Sequence, residues 1–526
     1  MNMKNSILLL LVWLGLNINA QPYKLTASSE IELPKKSFAS SIFKITSEEV
    51  CMVTTENSGF MGYASPKVED TYFNYYKNIS LQKSVILKPN IEGAKFIESF
   101  ELKGKMTYTS MINNKEKKQA EIYLNAIDNN GNPTKSVLIN TGHIKPGVIN
   151  MTYYAVANVV SPNRKKIASL LLSESEKETS FKLGYKDLFA LALKPNVINV
   201  GVADENGDLY YTKDISISAP SECERISIED YKVNDNGDVF LLLKQYIEGK
   251  KEKVDGDVNY KIYLYILGNK GATIKKIPIS IKNYFSGQPK LVISNHGTVY
   301  CGGFLSESVN RNFVGIYTLK LTAETDSFKY KITKITTSDI NKFGSAIKYK
   351  DDEISKYFVL DRILETDDQF GIVAEYYNVI TSNTSKGPVN TYVFRDIAYF
   401  MFSPNMELKD IAIIPKSQAG YNNVGYLSYA MILHNNMPYF IFNDNKKNIE
   451  AKEADKMAST GSYKNMAPVI VYKEDGKWVR KRLFEKEEVD ENMLYTISVE
   501  QADNNNVFLP FEKKGKYVLG KLTFTQ

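Results

Sequence analysis

A chain of 526 residues, 43% hydrophobic and 24% charged, can bury a large core, which excludes wholesale disorder. It suits two to four ordinary domains or one large repeat structure. A formal charge of +6, or +5 once a leader carrying Lys4 is removed, excludes the concentrated basic face of a nucleic-acid binder.

The first element is a leader. Lys4 supplies a basic start, Ile7 to Leu16 an apolar run of ten residues, and Ala20 a small residue before the expected cut, although Ile18 departs from the small-x-small preference. The run is too short to span a bilayer and suits a secretory signal, giving 1–20 as signal peptide and an exported mature chain from residue 21. No cysteine stands near the cut to take a lipid anchor. Cys51, Cys223 and Cys301 form no framework and are expected to be small buried residues, with a single disulfide left open.

With 35 Tyr and 25 Phe against 2 Trp and 3 His, the composition leans towards strands. "YKLTASSEIEL" (23–33) is the first strand-like stretch. The units up to residue 220 are less regular, and those from 221 to 526 repeat more clearly. "ADENGDLYY" (203–211), "VNDNGDVFLLLKQY" (233–246), "ISNHGTVYCGG" (293–303), "MILHNNMPYFIF" (431–442) and "QADNNNVFL" (501–509) each place Asn, Asp or Gly before a short β-branched and aromatic run. Such residues tolerate the positive φ of tight hairpins. With "ETDDQFGIVAEYY" the pattern returns near 235, 295, 367, 435 and 504, as blades or stacked sheets require. "YKIYLYIL" (260–267) is apolar on both faces and must be covered on both, whereas "YTLKLT" (317–322) reads as wet on its Thr318, Lys320 and Thr322 side. Helical turns are expected within 338–358 and 448–459. "GKYVLGKLTFTQ" is a final strand, with Val518, Leu522 and Phe524 on one face; pairing it with the N-terminal strand would close a ring.

"NHGTVYCGGF" resembles β-propeller repeats of the form N-x-x-G-x-V-Y, and "NGDLYYTKD" resembles the NHL and YWTD-type blade strand. The chain is similar to secreted bacterial β-propeller-repeat proteins, a resemblance that implies a fold and no activity. Kelch and WD40 patterns fit poorly: only Gly302-Gly303 pairs glycines as Kelch blades do, and Trp478 is the sole tryptophan after the leader.

Chemistry is harder to find. From Asp204 or Asn234 an EF-type calcium loop would need glycine at position 6, but Gly207 and Gly237 fall at position 4. These read as turns. His143, His296 and His434 show no metal-ligand spacing, and His296 and His434 are expected in solvent-facing turn slots. Asp351, Asp352, Glu353, Asp361, Glu365, Asp367 and Asp368 form a carboxylate-rich stretch, and paired carboxylates can run glycoside hydrolysis. Interleaved Lys348, Lys350, Lys356 and Arg362 favour a solvated face instead. Tyrosines in "DTYFNYYKN" (70–78) and "AEYYNV" (374–379) could stack on sugars but are more ordinary as half-buried strand residues. No GxSxG, P-loop or GxGxxG context appears.

The expectation is an all-β fold, one large propeller of seven or eight four-stranded blades spanning 21–526, with an N-terminal β-sandwich plus a smaller propeller as the alternative. The expected function is an exported, periplasmic or secreted binding or scaffold protein acting through propeller-face loops on a protein or glycan partner. Oligomeric state is left open, no transmembrane segment or nucleic-acid partner is expected, and no catalytic, cofactor-binding or metal residue is assigned. The alternative is a glycosidase-like enzyme with carboxylates such as Asp361, Glu365 and Asp367 in the central channel.

Overall fold

The computed structural model describes residues 22–32, 37–57, 68–87, 90–114, 116–128, 130–143, 156–173, 197–216, 225–248, 251–281, 284–294, 297–321, 328–336, 353–366, 369–385, 387–421, 425–449, 457–460, 465–484, 492–513 and 516–525. The leader, Cys223, His296 and most of both expected helical stretches lie outside them. Among the described residues no helix is long and apolar enough to cross a membrane.

Eight antiparallel blade sheets follow one another along the described residues, with a two-stranded hairpin, Lys253–Val254 against Asp257–Val258, inserted in the fourth. Blades 1 to 7 occupy 37–86, 95–143, 156–216, 225–279, 285–334, 358–421 and 430–482. Within each, four strands, A to D, pair in chain order, strand A being innermost; in blade 5 two short segments, Phe285–Ser286 and Lys290–Ile293, share the A position. The eighth blade joins both ends of the chain. Asn492–Leu494, Asn506–Lys513 and Lys516–Phe524 supply three strands, and Tyr23–Ala27 adds the outermost, with Tyr23 opposite Phe524 and Ala27 opposite Gly520. The expected ring closure is therefore present. The first 200 residues form three ordinary blades, not a separate sandwich.

The core is divided among the blade interfaces, because each sheet is apolar on both faces. On Val239–Tyr246 the residues Val239, Leu241 and Leu243 pack towards blade 3, while Phe240 and Leu242 pack towards blade 5. "YKIYLYIL" divides likewise: Tyr265 and Leu267 join the blade 3 side, Ile262 and Leu264 the blade 5 side. Every neighbouring pair of blades shares such a cluster. The one between blades 8 and 1 joins Phe508, Tyr517 and Leu519 to Ile42, Val50 and Met52. Cys51 and Cys301 are buried and free within these interfaces. The 317–322 strand departs from expectation: it is the third strand of blade 5, and Thr318 is buried along with Tyr317 and Leu319. Its polar face is covered by the neighbouring blade, which alternation alone does not reveal.

The turns carry their own chemistry. Asn234 Oδ1 accepts from the amides of Asn236 (3.0 Å) and Asp238 (2.8 Å), and Gly237 sits at φ +87°. Asp204 does the same for Asn206 (2.9 Å) and Asp208 (3.0 Å). These oxygens face the amides of their own loop, the arrangement of an Asx turn. The repeats near 235, 295, 367, 435 and 504 are the A–B turns of blades 4 to 8. The turn at 435 has both Asn435 (φ 48°) and Asn436 (φ 61°) in the left-handed region, the requirement of a type I′ hairpin.

Alternate hairpins of an antiparallel sheet lie on opposite ends of the blade. The A–B and C–D turns, nearly all short, therefore share one face of the ring. The B–C and blade-to-blade connections, including 144–155, 174–196, 335–357 and 446–465, start and finish on the other.

Candidate functional site

Three polar constellations occupy the ends of the inner strands. The first lies at the channel mouth on the tight-turn face, where blades 8, 1, 2 and 3 surround a cavity of about 450 Å³ lined by Lys44, Glu101, Lys103, Asn163, Arg164 and Glu500 among others. The A–B turn of blade 3 has Arg164 at φ 57°, where blade 4 has a glycine. Ser161 closes that turn, accepting at Oγ from the amides of Lys165 (3.2 Å) and Lys166 (3.1 Å). The strained position throws the guanidinium across the mouth. Its Nη1 donates to Glu101 Oε2 on blade 2 (2.9 Å) and its Nη2 to Glu500 Oε1 on blade 8 (2.7 Å). One arginine thereby ties three blades and bridges two carboxylates. Lys44 Nζ donates to the Ala502 carbonyl at 2.8 Å. Burial pushes the Glu500 carboxyl up, and Arg164 opposes that shift.

The second constellation is a buried polar layer between blades 6 and 7, above the apolar Val373–Tyr399–Phe440 packing. Lys416 is fully buried; its ammonium pairs with Glu375 and donates to Gln418 Oε1 at 2.7 Å. Ser428 Oγ also donates to Glu375. Deeper in the interface Arg480 pairs with Asp444 at 3.0 Å. Burial raises the Glu375 carboxyl and lowers the Lys416 ammonium, each opposed by its partner. Such a layer fixes the docking of two blades; burying the pair costs desolvation that only complete pairing offsets.

The third gathers three phenols and a carboxylate. Tyr495 OH lies 2.6 Å from Tyr426 OH and 2.8 Å from Tyr517 OH, and donates to Glu512 Oε2 at 2.9 Å. Tyr426 also donates to Glu512, and Tyr517 donates to the Ser37 carbonyl at 2.6 Å. Burial raises all three phenols, so they remain protonated donors. The network links blades 8 and 1 beside the Gly425–Ser428 connection.

Among the described residues, Asp361 and Glu365 of the carboxylates singled out in the sequence are not brought together. Asp361 occupies a bulge on Phe358–Glu365, the innermost strand of blade 6, between the pairs Leu360–Ala374 and Arg362–Val373. It accepts from Tyr429 OH (2.8 Å) and Arg362 Nε (2.6 Å). Glu365 ends the same strand, about 13 Å further along at an extended rise of about 3.3 Å per residue. That exceeds the separation of glycosidase carboxylate pairs, about 5–10 Å. Asp351, Asp352, Asp367 and Asp368 lie outside the described residues.

The histidines need correction. His434 is buried, not solvent-facing: its Nδ1 lies 2.8 Å from the Asn504 carbonyl, and its ring stacks on Phe524 at 4.1 Å. The I′ turn begins one residue later than the sequence alignment of repeats implies, leaving His434 as the last strand residue, opposite Met437. His143 ends an outer strand of blade 2, not a turn. Tyr75 and Tyr76 are packed between blades, so that aromatic stretch is core.

Sequence reasoning missed the acids within two inner strands, Glu98 in "FIESFE" on blade 2 and Glu229 in "SIEDYK" on blade 4; Asp361 in "VLDRIL" on blade 6, singled out in the sequence, is their counterpart. Burial raises the carboxyls of Glu98 and Glu229. A signal existed: acids set among the apolar residues of these strands, Glu98 with Glu101, Glu229 with Asp230 and Asp361 with Glu365. It also missed Arg164, because an arginine at a glycine position in a turn leaves no pattern.

No family model matches the chain, and no curated protein does. Solved structures do. The β-propeller domain of the trilobed protease of Pyrococcus furiosus is 10% identical, with 86% of this chain covering all of that one at a TM-score of 0.37. Prolyl oligopeptidase B of Galerina marginata is 9% identical, with 93% of this chain covering 55% of that one at 0.39. The sialidase of Trypanosoma rangeli is 10% identical, with 83% covering 59% at 0.32. The all-β propeller architecture of this chain is established by its own sheet order and register.

Proposed function

We propose that this protein is a non-catalytic binding or scaffold protein, working after export through the propeller face that carries the long connections. The observation behind the reading is the segregation of the connections: short, self-bonded turns on one face, and on the other every B–C and blade-to-blade segment, joined by an extension of blade 6. There the strands Phe370–Thr384, Gly387–Phe402 and Leu408–Tyr421 run well past strand A, whose pairing stops at Phe358 opposite Tyr376. Long loops on a rigid scaffold are where recognition residues concentrate. Arg164, holding both Glu101 and Glu500, weighs against a free acid–base pair at the opposite mouth.

The test is a thermal-shift screen of residues 21–526 against glycans and cell-wall fragments, with hydrolysis followed in parallel. A ligand at about 100 times its Kd adds about 2.7 kcal/mol of stability, a visible shift. Stabilisation without hydrolysis supports the reading; turnover of a glycan abolished by Asp361→Asn or Glu365→Gln would replace it with the glycosidase reading.

A further inference from the structure

Open sheet edges invite pairing with other chains, and proteins commonly guard them with charge or proline. This propeller guards its rim. The outermost strand of every blade carries at least one lysine, from Lys83 on blade 1 to Lys24 on the strand that closes blade 8; blade 7 carries Lys477, Arg480, Lys481 and Arg482. Rims of one sign repel one another.

One edge lacks this protection. Beyond Tyr376 the second strand of blade 6 runs on to Thr384 with no inner strand beside it among the described residues. Residues 377–385 read "YNVITSNTS", without a charge or a proline. The opposite edge of the same extension is occupied: Thr460 donates its amide to the Ser417 carbonyl (3.0 Å), and the Ala419 amide donates to Thr460 Oγ1 (3.3 Å). On the open edge the Tyr377 amide points towards the missing strand, donating to the Tyr357 carbonyl at 2.9 Å. Backbone alternation then turns the amides and carbonyls of Val379, Thr381 and Asn383 outward, a row about 14 Å long at two residues per repeat. Val379 and Ile380, on opposite faces of the strand, are 38% and 50% exposed.

We propose that this edge pairs, antiparallel, with the same edge of a second copy of the chain. Outward-facing residues recur at even spacing, so the segment matches itself about a two-fold axis. Being neutral, it brings no like charges together, unlike the basic rims. Two copies form a continuous six-stranded sheet from their blade 6 extensions. The base of the extension packs against Leu427 and Met466 while its open edge stays exposed, and the contact is small, so the dimer is weak and concentration-dependent. The inference is independent of which ligand the face binds.

Sedimentation velocity on residues 21–526 over a dilution series tests it. The wild-type mass is expected to rise towards twice that of the monomer with concentration. Thr381→Pro removes an outward amide and, within the chain, only the exposed bond from Thr381 Oγ1 to Asn390 Oδ1 (2.8 Å). Ile380→Lys sets like charges across the axis. Both variants are expected to stay monomeric at every concentration while remaining folded, with cooperative thermal melts. A wild-type chain that stays monomeric throughout overturns the proposal, and so does a dimer that survives both substitutions. A monomer that binds an unrelated extended peptide along this edge overturns it too, since the occupant is then a foreign strand.

Discussion

Lys416 is the most exacting test of the packing account. Its side chain has no exposure, and its ammonium holds Glu375, itself 8% exposed. Lys416→Met conserves most of the volume and removes the charge. Gln418 Oε1 still accepts from the Ser428 amide at 2.8 Å, so the amide is not orphaned. Glu375 keeps one hydroxyl donor, Ser428, and a buried carboxylate without its cation. Removing one partner of a buried pair costs about 3–5 kcal/mol. The deficit should also depend on pH. Burial raises the folded Glu375 carboxyl above its unfolded value, and loss of Lys416 raises it further. Between those two values the folded state binds more protons, so the variant loses stability as pH rises through that window and recovers part of it as pH falls. Removing both partners, with Glu375→Leu added, should restore stability to within about 1 kcal/mol of wild type. Urea unfolding read by Trp478 fluorescence suits the question, because that ring lies in the same interface, 5.9 Å from Phe440 and 6.4 Å from Tyr399. A single-variant loss under about 1 kcal/mol, or a double variant no better than the single, refutes the buried-pair argument.

Three further outcomes follow from particular contacts. A Cβ on Gly201 would lie 1.7 Å from the Ile139 carbonyl oxygen of the neighbouring blade, so Gly201→Ala must part blades 2 and 3; a loss above about 2 kcal/mol in urea unfolding is expected. Arg164→Met leaves Glu101 and Glu500 facing each other, and its stability, measured by thermal melts across pH, should fall as pH rises through the raised Glu500 titration. Asn234→Ala removes the one side-chain oxygen that accepts from two turn amides and should cost about 1 kcal/mol in urea unfolding, with no change in wild-type melting between Ca²⁺ and chelator.

Much of the fold was legible because hairpin chemistry and strand period are local. Clusters of Asn, Asp and Gly announced the A–B turns of blades 4 to 8, and two-sided apolar strands announced sandwiching between blades. Blades 1 to 3 were obscured because the same turns use other letters: Thr46 Oγ1 caps the first, Lys103 and Gly104 make the second, and Ser161 with Arg164 the third. The site was less legible. The partners of Arg164 stand at positions 101 and 500, and the carboxylate of Glu375 meets Lys416 only after two strand reversals. Such juxtapositions arise from sheet pairing, blade packing and, for Glu500, ring closure, and leave no spacing in the sequence. In the carboxylate-rich stretch the described Asp361 and Glu365 lie on one extended strand, where neighbours diverge instead of converging.

Ring closure is the claim on which the rest depends, and a disulfide across the closing pair tests it directly. Thr26 stands opposite Lys521, and opposed residues of an antiparallel pair have Cα atoms about 4.5–5.5 Å apart, within reach of a disulfide. Thr26→Cys with Lys521→Cys should oxidise to an intramolecular cross-link that raises the thermal midpoint, while Thr26→Cys with Thr523→Cys, two residues out of register, should not. A cross-link equally efficient in both variants, or in neither, would contradict the closure of the eighth blade by the N-terminal strand.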